Sequence, residues 1–245
     1  MTLTEEDGES AARSAAEAFA AQMAAFWQER LGPRLLGVYR IGSLAHGGFS
    51  RRYSDIDLAV IAEDGLAAGE LERSRAMAAI LSPALGAKLS VFWSDRSFAI
   101  GRFPPLDRVD YLDHAVAVIE KERARPERPS MAAIRDYLRG QPLESWREEV
   151  ERCARMERLG RADHKPYLRA HLYPARFVYS WKLGAMGSND AAVAFLRGNA
   201  PHGLDVDLIE RALRVRQEAG DLDPLLPERT KLAAQFAACA RLAGA

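Results

Sequence analysis

The sequence predicts an α+β protein in which an α/β N-terminal half precedes an all-helical C-terminal half. In the N-terminal half, short apolar strand-like runs alternate with stretches of helical periodicity, whereas the later apolar patterns all have helical spacing. A chain of 245 residues is long enough for two modest domains. We place their boundary in the charged, proline-punctuated stretch Glu120–Pro129, which gives domains 1–124 and 125–245. A solvated helix end is the alternative interpretation of that stretch.

The N-terminal half is expected to open with an amphipathic helix over Ser10–Leu31, which Gly32-Pro33 ends. After it we expect strands at Leu35–Ile41, Asp55–Ala62 and Lys88–Trp93, and a helix at Glu70–Leu81. A further strand is expected either around Val109 or at Ala115–Ile119. Gly42–Ser54, between the first two strands, is expected to be a loop. Alternation along the second strand predicts one face with Asp55, Asp57, Ala59 and Ile61, and an opposite face with Ile56, Leu58 and Val60.

The C-terminal half is expected to be a helical bundle, because most of its periodic stretches end at a glycine. The expected helices are Ser130–Arg139, Leu143–Leu159, Pro166–Leu183, Ser188–Arg197, Asp205–Ala219 and Pro227–Leu242. Pro174, inside the third of them, is expected to kink or split it.

Composition argues against several classes of partner. Lys plus Arg and Asp plus Glu both number 34, so the formal charge is zero and no global attraction to nucleic acid or an anionic membrane is expected. The acidic start of the sequence is unlike a signal peptide, and no apolar run is long enough for a membrane span. Cys153 and Cys239 lie in helix-like stretches and are expected to be buried, inert thiols. We therefore expect a cytoplasmic protein, whose oligomeric state the sequence does not fix.

Asp55 and Asp57 carry the clearest chemical signal. Carboxylates at positions i and i+2 of a strand project from one face about 6.5 Å apart at the backbone, close enough to bracket Mg²⁺. The alternative is a half-exposed strand whose acids meet water. Against it, the same face continues as Ala59 and Ile61, and two partly buried carboxylates repel each other without a cation.

Gly42-Ser43 directly follows the first strand. A residue without a Cβ lets backbone N–H groups approach a phosphate, and a hydroxyl adds a donor. Alone the pair indicates only a turn. Here eleven residues, Leu44–Ser54, separate it from the two aspartates. This combination places phosphate-holding groups beside metal-holding carboxylates, as phosphoryl or nucleotidyl transfer requires.

These residues also carry a family resemblance. IGSLAHGGFSRRYSDIDLAVI, residues 41–61, resembles the core motif of the nucleotidyltransferase superfamily, and specifically of the streptomycin/spectinomycin-type aminoglycoside adenylyltransferases. ARFVYSWKLGAMGSNDAA, residues 175–192, and LIERALRVRQ, residues 208–217, are similar to the helical C-terminal domain of those enzymes. In the first of these segments, Arg176, Tyr179, Gly184 and Asp190 match the family's pattern.

The resemblance implies a nucleotidyltransferase fold with a mixed sheet, followed by a helical domain, and a substrate held between the two. It implies transfer of AMP from Mg-ATP, or a nucleoside monophosphate from another nucleoside triphosphate, to a hydroxyl of a small molecule such as an aminoglycoside. Gly42 and Ser43 would contact the β- and γ-phosphates, and Asp55 and Asp57 would bind Mg²⁺. Apart from the resemblance, Arg51 and Arg52 precede the aspartates in the loop, where one of them could reach a triphosphate through a bidentate contact. The nucleotide contacts expected there are Arg51 and Ser54. A solvated loop charge is the alternative for Arg51.

Two positions depart from the family's pattern. The family has a glutamate that serves as general base in the next strand, where this sequence aligns Ser90. A serine of ordinary pKa cannot deprotonate a hydroxyl. Asn189 replaces a nucleotide-contacting lysine, and Lys182 or Arg176 could supply the missing charge. Ser90, Arg176, Lys182 and Asn189 are therefore expected as acceptor or nucleotide contacts.

The missing base leaves alternatives open. Asp95, Asp107 or Asp110 could replace the base. Asp95 is the weaker choice because it would face away from Ser90. Asp110 could come from a neighbouring strand. A degenerate member that binds nucleotide without turnover is one rival to the enzyme. A nucleotidyltransferase that modifies a protein is another, against which the fused helical domain argues.

Overall fold

The computed structural model describes residues 5–218 and 220–244. Contacts between residues divide the chain into two compact units, with the division between Arg128 and Pro129. This division falls within the charged stretch Glu120–Pro129.

The first unit is built on a five-stranded mixed sheet of strand order β4-β3-β2-β1-β5. Its strands are β1 (Leu35–Ile41), β2 (Ile56–Ala62), β3 (Leu89–Ser94), β4 (Gly101–Arg102) and β5 (Val116–Glu120). The β2–β3 pair is parallel, whereas β1–β2, β1–β5 and β3–β4 are antiparallel. The helices of this unit are α1 (Glu5–Leu31), α2 (Ser43–His46), α3 (Glu70–Leu81), α4 (Pro83–Gly86) and α5 (Pro105–His114), with a 3₁₀ turn at Gly32–Arg34.

The sheet buries apolar side chains on both faces. On one face, Ile56, Leu58 and Val60 belong to a buried cluster with Trp27 and Met23 of α1. The opposite cluster is aromatic and contains Ala59, Ile61, Tyr39, Phe103 and Tyr111. The alternation predicted for the second strand is therefore confirmed, and burial on both sides fixes which face each β2 residue occupies.

The structure decides between the two alternatives for the last strand and corrects one other expectation. The strand is β5 at Val116–Glu120, close to the predicted Ala115–Ile119, whereas the segment around Val109 is helical, because Pro105 occupies the first turn of α5, where its missing N–H costs nothing. The stretch after Gly42 is not simply a loop, since it contains the short helix α2.

All the regular secondary structure in the described part of the second unit is helical. Its helices are α6 (Met131–Arg139), α7 (Gln141–Ala154), α8 (His164–Leu183), α9 (Asn189–Leu196), α10 (Val206–Gln217) and α11 (Leu232–Ala243), with 3₁₀ turns at Arg161–Asp163 and Asp223–Lys231. Ser130, Ser188 and Asp205 cap α6, α9 and α10, each accepting a hydrogen bond from the backbone N–H three residues on. The predicted α+β architecture is thus confirmed.

The helices of this unit differ from the predictions at several points. Of the kink or split expected at Pro174, the split is excluded, because α8 remains one helix through the buried proline. The helix expected at Leu143–Leu159 is α7, which ends at Ala154. Pro227 lies inside a 3₁₀ turn, and α11 begins at Leu232 instead. The helix expected to end at Ala219 ends at Gln217; Ala219 lies outside the described residues.

The two cysteines are buried and free, as predicted. Burial raises the pKa of Cys153 to about 11 and that of Cys239 to about 12, so both thiols stay protonated and unreactive near neutral pH. No helix in the described part of the chain is long and apolar enough to cross a membrane.

His171 is the most deeply buried histidine of the second unit. It is 1% exposed, its ring packs edge-on against Tyr167, and within the described residues neither ring nitrogen has a hydrogen-bond partner. Burial lowers its pKa to about 4; Glu228 opposes this shift and Arg211 adds to it. The folded protein therefore holds His171 neutral at a pH where the unfolded chain already protonates it.

We expect His171 to make the protein acid-sensitive. Its folded pKa of about 4 lies below the unfolded value, so its contribution is complete above about pH 6.5 and is lost as the pH falls towards 4. The loss should reach about 3 kcal/mol of unfolding free energy. Urea unfolding at pH 7 and pH 4.5 should show about 2 kcal/mol less acid destabilisation for His171→Leu than for the native protein, because the full loss is reached only below pH 4. His202→Leu, at an exposed site of the same unit, should behave like the native protein, and equal acid sensitivity of the two variants would contradict the assignment.

Candidate active site

Gly42, in the predicted glycine turn, lies in direct contact with Asp57, one of the two predicted metal ligands. Ile41, the last residue of β1, pairs with Asp57 of β2, so Gly42 follows beside that aspartate. A Cβ placed on Gly42 would lie 2.3 Å from Asp57 Oδ2, and Gly42 has a φ of +63°. Only glycine satisfies both the conformation and the close approach. The Asp57 carboxylate occupies the space that a side chain on Gly42 would need.

Asp55 and Asp57 are the metal-binding candidates. Asp55 immediately precedes β2 and Asp57 is its second residue, and both side chains are half-buried. Carboxylate oxygens are the donors that Mg²⁺ prefers, and Mg²⁺ is usually held by one or two carboxylates plus substrate phosphates and water. Among the described residues, no group of three His, Cys, Asp or Glu residues could hold a metal. A two-carboxylate site completed by phosphate fits the residues present.

Ser90 lies next to Asp57 in the sheet. The parallel register of β2 and β3 pairs these two residues directly, so their side chains project from the same face. Ser90, which the sequence aligns with the family's glutamate, therefore lies beside the metal-binding candidates. Its side chain is half-buried.

Asp95 is committed to a turn. Its carboxylate accepts hydrogen bonds from the Ser97 hydroxyl and from the backbone N–H groups of Ser97 and Ile100. Burial acts to raise the pKa of Asp95, but these hydrogen bonds outweigh it and hold the pKa below its ordinary value. A carboxylate used in this way stabilises the turn after β3.

Asp110 reaches the site from a helix. It is 2% exposed on α5, and its Oδ2 accepts a hydrogen bond from the Gly42 N–H at 2.6 Å. The expectation that a strand would carry it was wrong, because residues 105–114 are helical. Asp107 lies half-buried in the first turn of the same helix. Asp57 and Asp110 thus contact the same glycine from two sides.

The loop between β1 and β2 is held by side chains from outside it. Glu9 of α1 accepts a hydrogen bond from the Arg51 N–H at 2.8 Å, and Arg13 of α1 donates one to the Leu44 carbonyl at 3.0 Å. Lys88 donates to the carbonyl of Arg51. No sequence motif marks Glu9 or Arg13, since both look like ordinary surface charges of an amphipathic helix.

Two loop residues predicted as nucleotide contacts differ in exposure. The Arg51 side chain is exposed, whereas Ser54 is buried. The Ser54 hydroxyl accepts a hydrogen bond from the Ser50 N–H at 2.9 Å, and the Ser54 N–H donates to the Ser50 carbonyl at 2.8 Å. Ser54 therefore closes the loop ahead of Asp55.

The candidate contacts of the second unit lie on α8 and α9. Arg176 is exposed on α8, and Asn189 is the first residue of α9. Lys182 donates a hydrogen bond to the carbonyl of Asn199, beyond the C-terminal end of α9. Because the eight residues of α9 span roughly 12 Å, the Lys182 ammonium lies towards the far end of that helix from Asn189.

Comparisons with protein-family models and with curated protein sequences gave no match. Solved structures do match. One of them is the crystal structure of spectinomycin adenyltransferase AAD(9) from Enterococcus faecialis with ATP and spectinomycin. It matches with a TM-score of 0.58 at 12% sequence identity, over 86% of this chain and 94% of that chain. At this identity the similarity is one of fold: the chain shares the fold of AAD(9), and the expected architecture of a mixed sheet with helices followed by a helical region is confirmed.

Replacing Gly42 by alanine should damage both the turn and the carboxylate. Gly42→Ala would force a non-glycine residue to positive φ and push the Asp57 carboxylate aside. Gly47→Ala is the control, because Gly47 also has a positive φ but nothing lies within 4 Å of the new Cβ. Both variants should lose about 1–3 kcal/mol of unfolding free energy to strain. Gly42→Ala should lose more than Gly47→Ala, and it alone should abolish thermal stabilisation by Mg-ATP. Equal behaviour of the two variants in urea unfolding and in thermal shift would refute this account.

Proposed function

We propose that this protein is a Mg²⁺-dependent nucleotidyltransferase that transfers a nucleoside monophosphate, AMP from ATP, to a hydroxyl of a small molecule. The observation that carries the proposal is the contact between Gly42 and the Asp57 carboxylate, within the fold shared with AAD(9). That contact joins a turn suited to phosphate and a carboxylate suited to Mg²⁺ in one place.

The residues have distinct roles in this proposal. Asp55 and Asp57 hold Mg²⁺, which neutralises the triphosphate charge when bound. The turn of Gly42 and Ser43 lies against the phosphates through groups other than the Gly42 N–H, which donates to Asp110. The exposed guanidinium of Arg51 supplies a bidentate contact to the phosphates. The acceptor hydroxyl attacks the α-phosphorus, the bond to pyrophosphate breaks, and the hydroxyl proton leaves with a base or with water.

An aminoglycoside is the first acceptor class to test. AAD(9) was crystallised with ATP and spectinomycin, and the sequence of this chain resembles the streptomycin/spectinomycin-type enzymes in both halves. Arg176 and Asn189, on α8 and α9, are the second unit's candidates for contacts to acceptor or nucleotide.

A non-catalytic nucleotide-binding role is the second candidate. It is favoured by Ser90, which pairs with Asp57 where the resembling enzymes have a carboxylate. Such a protein would bind Mg-nucleotide as a sensor or regulator without transferring it.

The test of the enzyme is direct. The protein should transfer label from α-³²P-ATP to at least one of a panel of aminoglycosides, including spectinomycin and streptomycin, in the presence of Mg²⁺ and not of EDTA. Asp57→Asn should lower the rate about a hundredfold or more, because a charge that stabilises the transition state is lost. Asp64→Asn is the matched control, since it removes an exposed carboxylate just beyond the other end of the same strand. No transfer to any acceptor, together with no thermal stabilisation by Mg-ATP, would disprove the proposal.

Ser90→Glu separates the two candidates. A carboxylate introduced beside Asp57 should act as a general base where the serine cannot. Native protein that binds Mg-ATP without turnover, combined with transfer by Ser90→Glu, would identify a binding protein. Native turnover that Ser90→Glu raises less than about tenfold would favour the enzyme. The measurement is the same label-transfer assay, with Ser90→Gln as the uncharged control of equal size.

A further inference from the structure

Asp110 is buried in a way that stability alone does not explain. Its neighbours in sequence, Val109 and Tyr111, are fully buried, and Asp110 itself is 2% exposed. One carboxylate oxygen, Oδ2, accepts the Gly42 N–H. The other, Oδ1, is buried and has no hydrogen-bond partner within the described residues. A buried carboxylate oxygen without a donor costs free energy, and an amide or apolar side chain would fill the position at lower cost.

The helix that carries Asp110 is firmly held against the turn. The Tyr111 hydroxyl donates to the Ala124 carbonyl at 2.9 Å, and its ring packs edge-on against Tyr39 of β1 at 5.1 Å. One helical turn beyond Asp110, the His114 ring lies 5.6 Å from the His46 ring of α2. These contacts fix α5 along both β1 and the segment that follows Gly42.

The Asp110 carboxylate is therefore a rigid support for the Gly42 peptide. Because Asp57 Oδ2 occupies the space of the missing Gly42 side chain, standard bond lengths put the Asp57 and Asp110 carboxylates within about 7.5 Å of each other. Any shift of the Gly42 peptide would change its contact with Asp57. Asp110 thus holds the glycine that lies directly against a candidate metal ligand, Asp57.

We propose that Asp110 is a positioning residue of the nucleotide site, which fixes the Gly42 peptide so that the turn and Asp57 receive Mg-nucleotide without rearrangement. This proposal rests on the proposed function. Because the Gly42 N–H already donates to Asp110, the phosphates contact the other groups of the turn. A site built in this way gives up some stability for preorganisation.

The opposite role makes the opposite prediction. A carboxylate on the N–H of a phosphate-binding turn could act as a built-in anion that nucleotide must displace. Removing such a competitor would strengthen nucleotide binding, whereas removing a positioning residue weakens it.

The experiment compares Asp110→Ala and Asp110→Asn in the full chain with the native protein. The dissociation constant of Mg-ATP is measured by calorimetry, and the unfolding midpoint is measured without ligand. Asp110→Ala should weaken Mg-ATP binding roughly tenfold or more, as expected for loss of a charged hydrogen bond. Asp110→Asn should bind within about threefold of the native protein, because its amide oxygen can accept the same N–H, and its unfolding midpoint should be unchanged or higher.

The controls keep the test decisive. Asp113→Ala removes a partly exposed carboxylate of the same helix, one that pairs with Arg128 and not with Gly42, and should leave Mg-ATP binding unchanged. Asp110→Ser, whose short hydroxyl cannot span the gap to Gly42, replaces the alanine variant if that one does not fold, and the same loss is expected. Native-like binding by Asp110→Ala or Asp110→Ser overturns the positioning role, and tighter binding shows a competing anion instead. No Mg-ATP binding by the native protein overturns the proposed function and this proposal together.

Discussion

The contact between Gly42 and the Asp57 carboxylate depends on the register of two antiparallel strands. Ile41 pairs with Asp57, and this pairing brings the residue after β1 against the aspartate. A slip of one residue would turn Asp57 to the opposite face of the sheet, among the apolar side chains that pack on α1. The register is secure because β2 is buried on both faces, so a slip would expose or misplace every apolar side chain of the strand.

Helices on the two faces of the sheet then stabilise what the register creates. From one side, α5 presents Asp110 to the Gly42 N–H, and its aromatic neighbour Tyr111 anchors it to β1. From the other, α1 supplies Glu9 and Arg13 to the loop that follows. The loop therefore carries backbone groups that are oriented before any ligand arrives, which lowers the entropic cost of binding.

The charges at this site are local. The chain as a whole is formally neutral, yet two carboxylates contact one glycine, and Asp55 lies two residues from one of them. Mutual repulsion among these acids favours a cation, and a cation in turn favours the phosphates of a nucleotide. Ser90, paired with Asp57, adds no charge to this group and is no general base at its ordinary pKa.

Local sequence signals were enough to predict most of the architecture. The limits of β1 and α3 were predicted to the residue, and the caps at Ser130, Ser188 and Asp205 mark helix starts that the sequence indicated. The errors arose where one local rule met another. The alternative strand around Val109 was overridden by the proline that starts α5, and Pro227, expected at a helix start, lies inside a 3₁₀ turn.

The sequence by itself determined the pairing of a glycine turn with two aspartates, because glycine tolerance and strand alternation act over a few residues. Only the tertiary structure decided that Ser90 stands beside Asp57 and that Asp110, not Asp95, reaches the site. It also revealed Glu9 and Arg13 as supports of the loop. These contacts join residues 31 to 68 positions apart, and the helix orientation and strand order that bring them together come from packing of the whole unit, which no local pattern records.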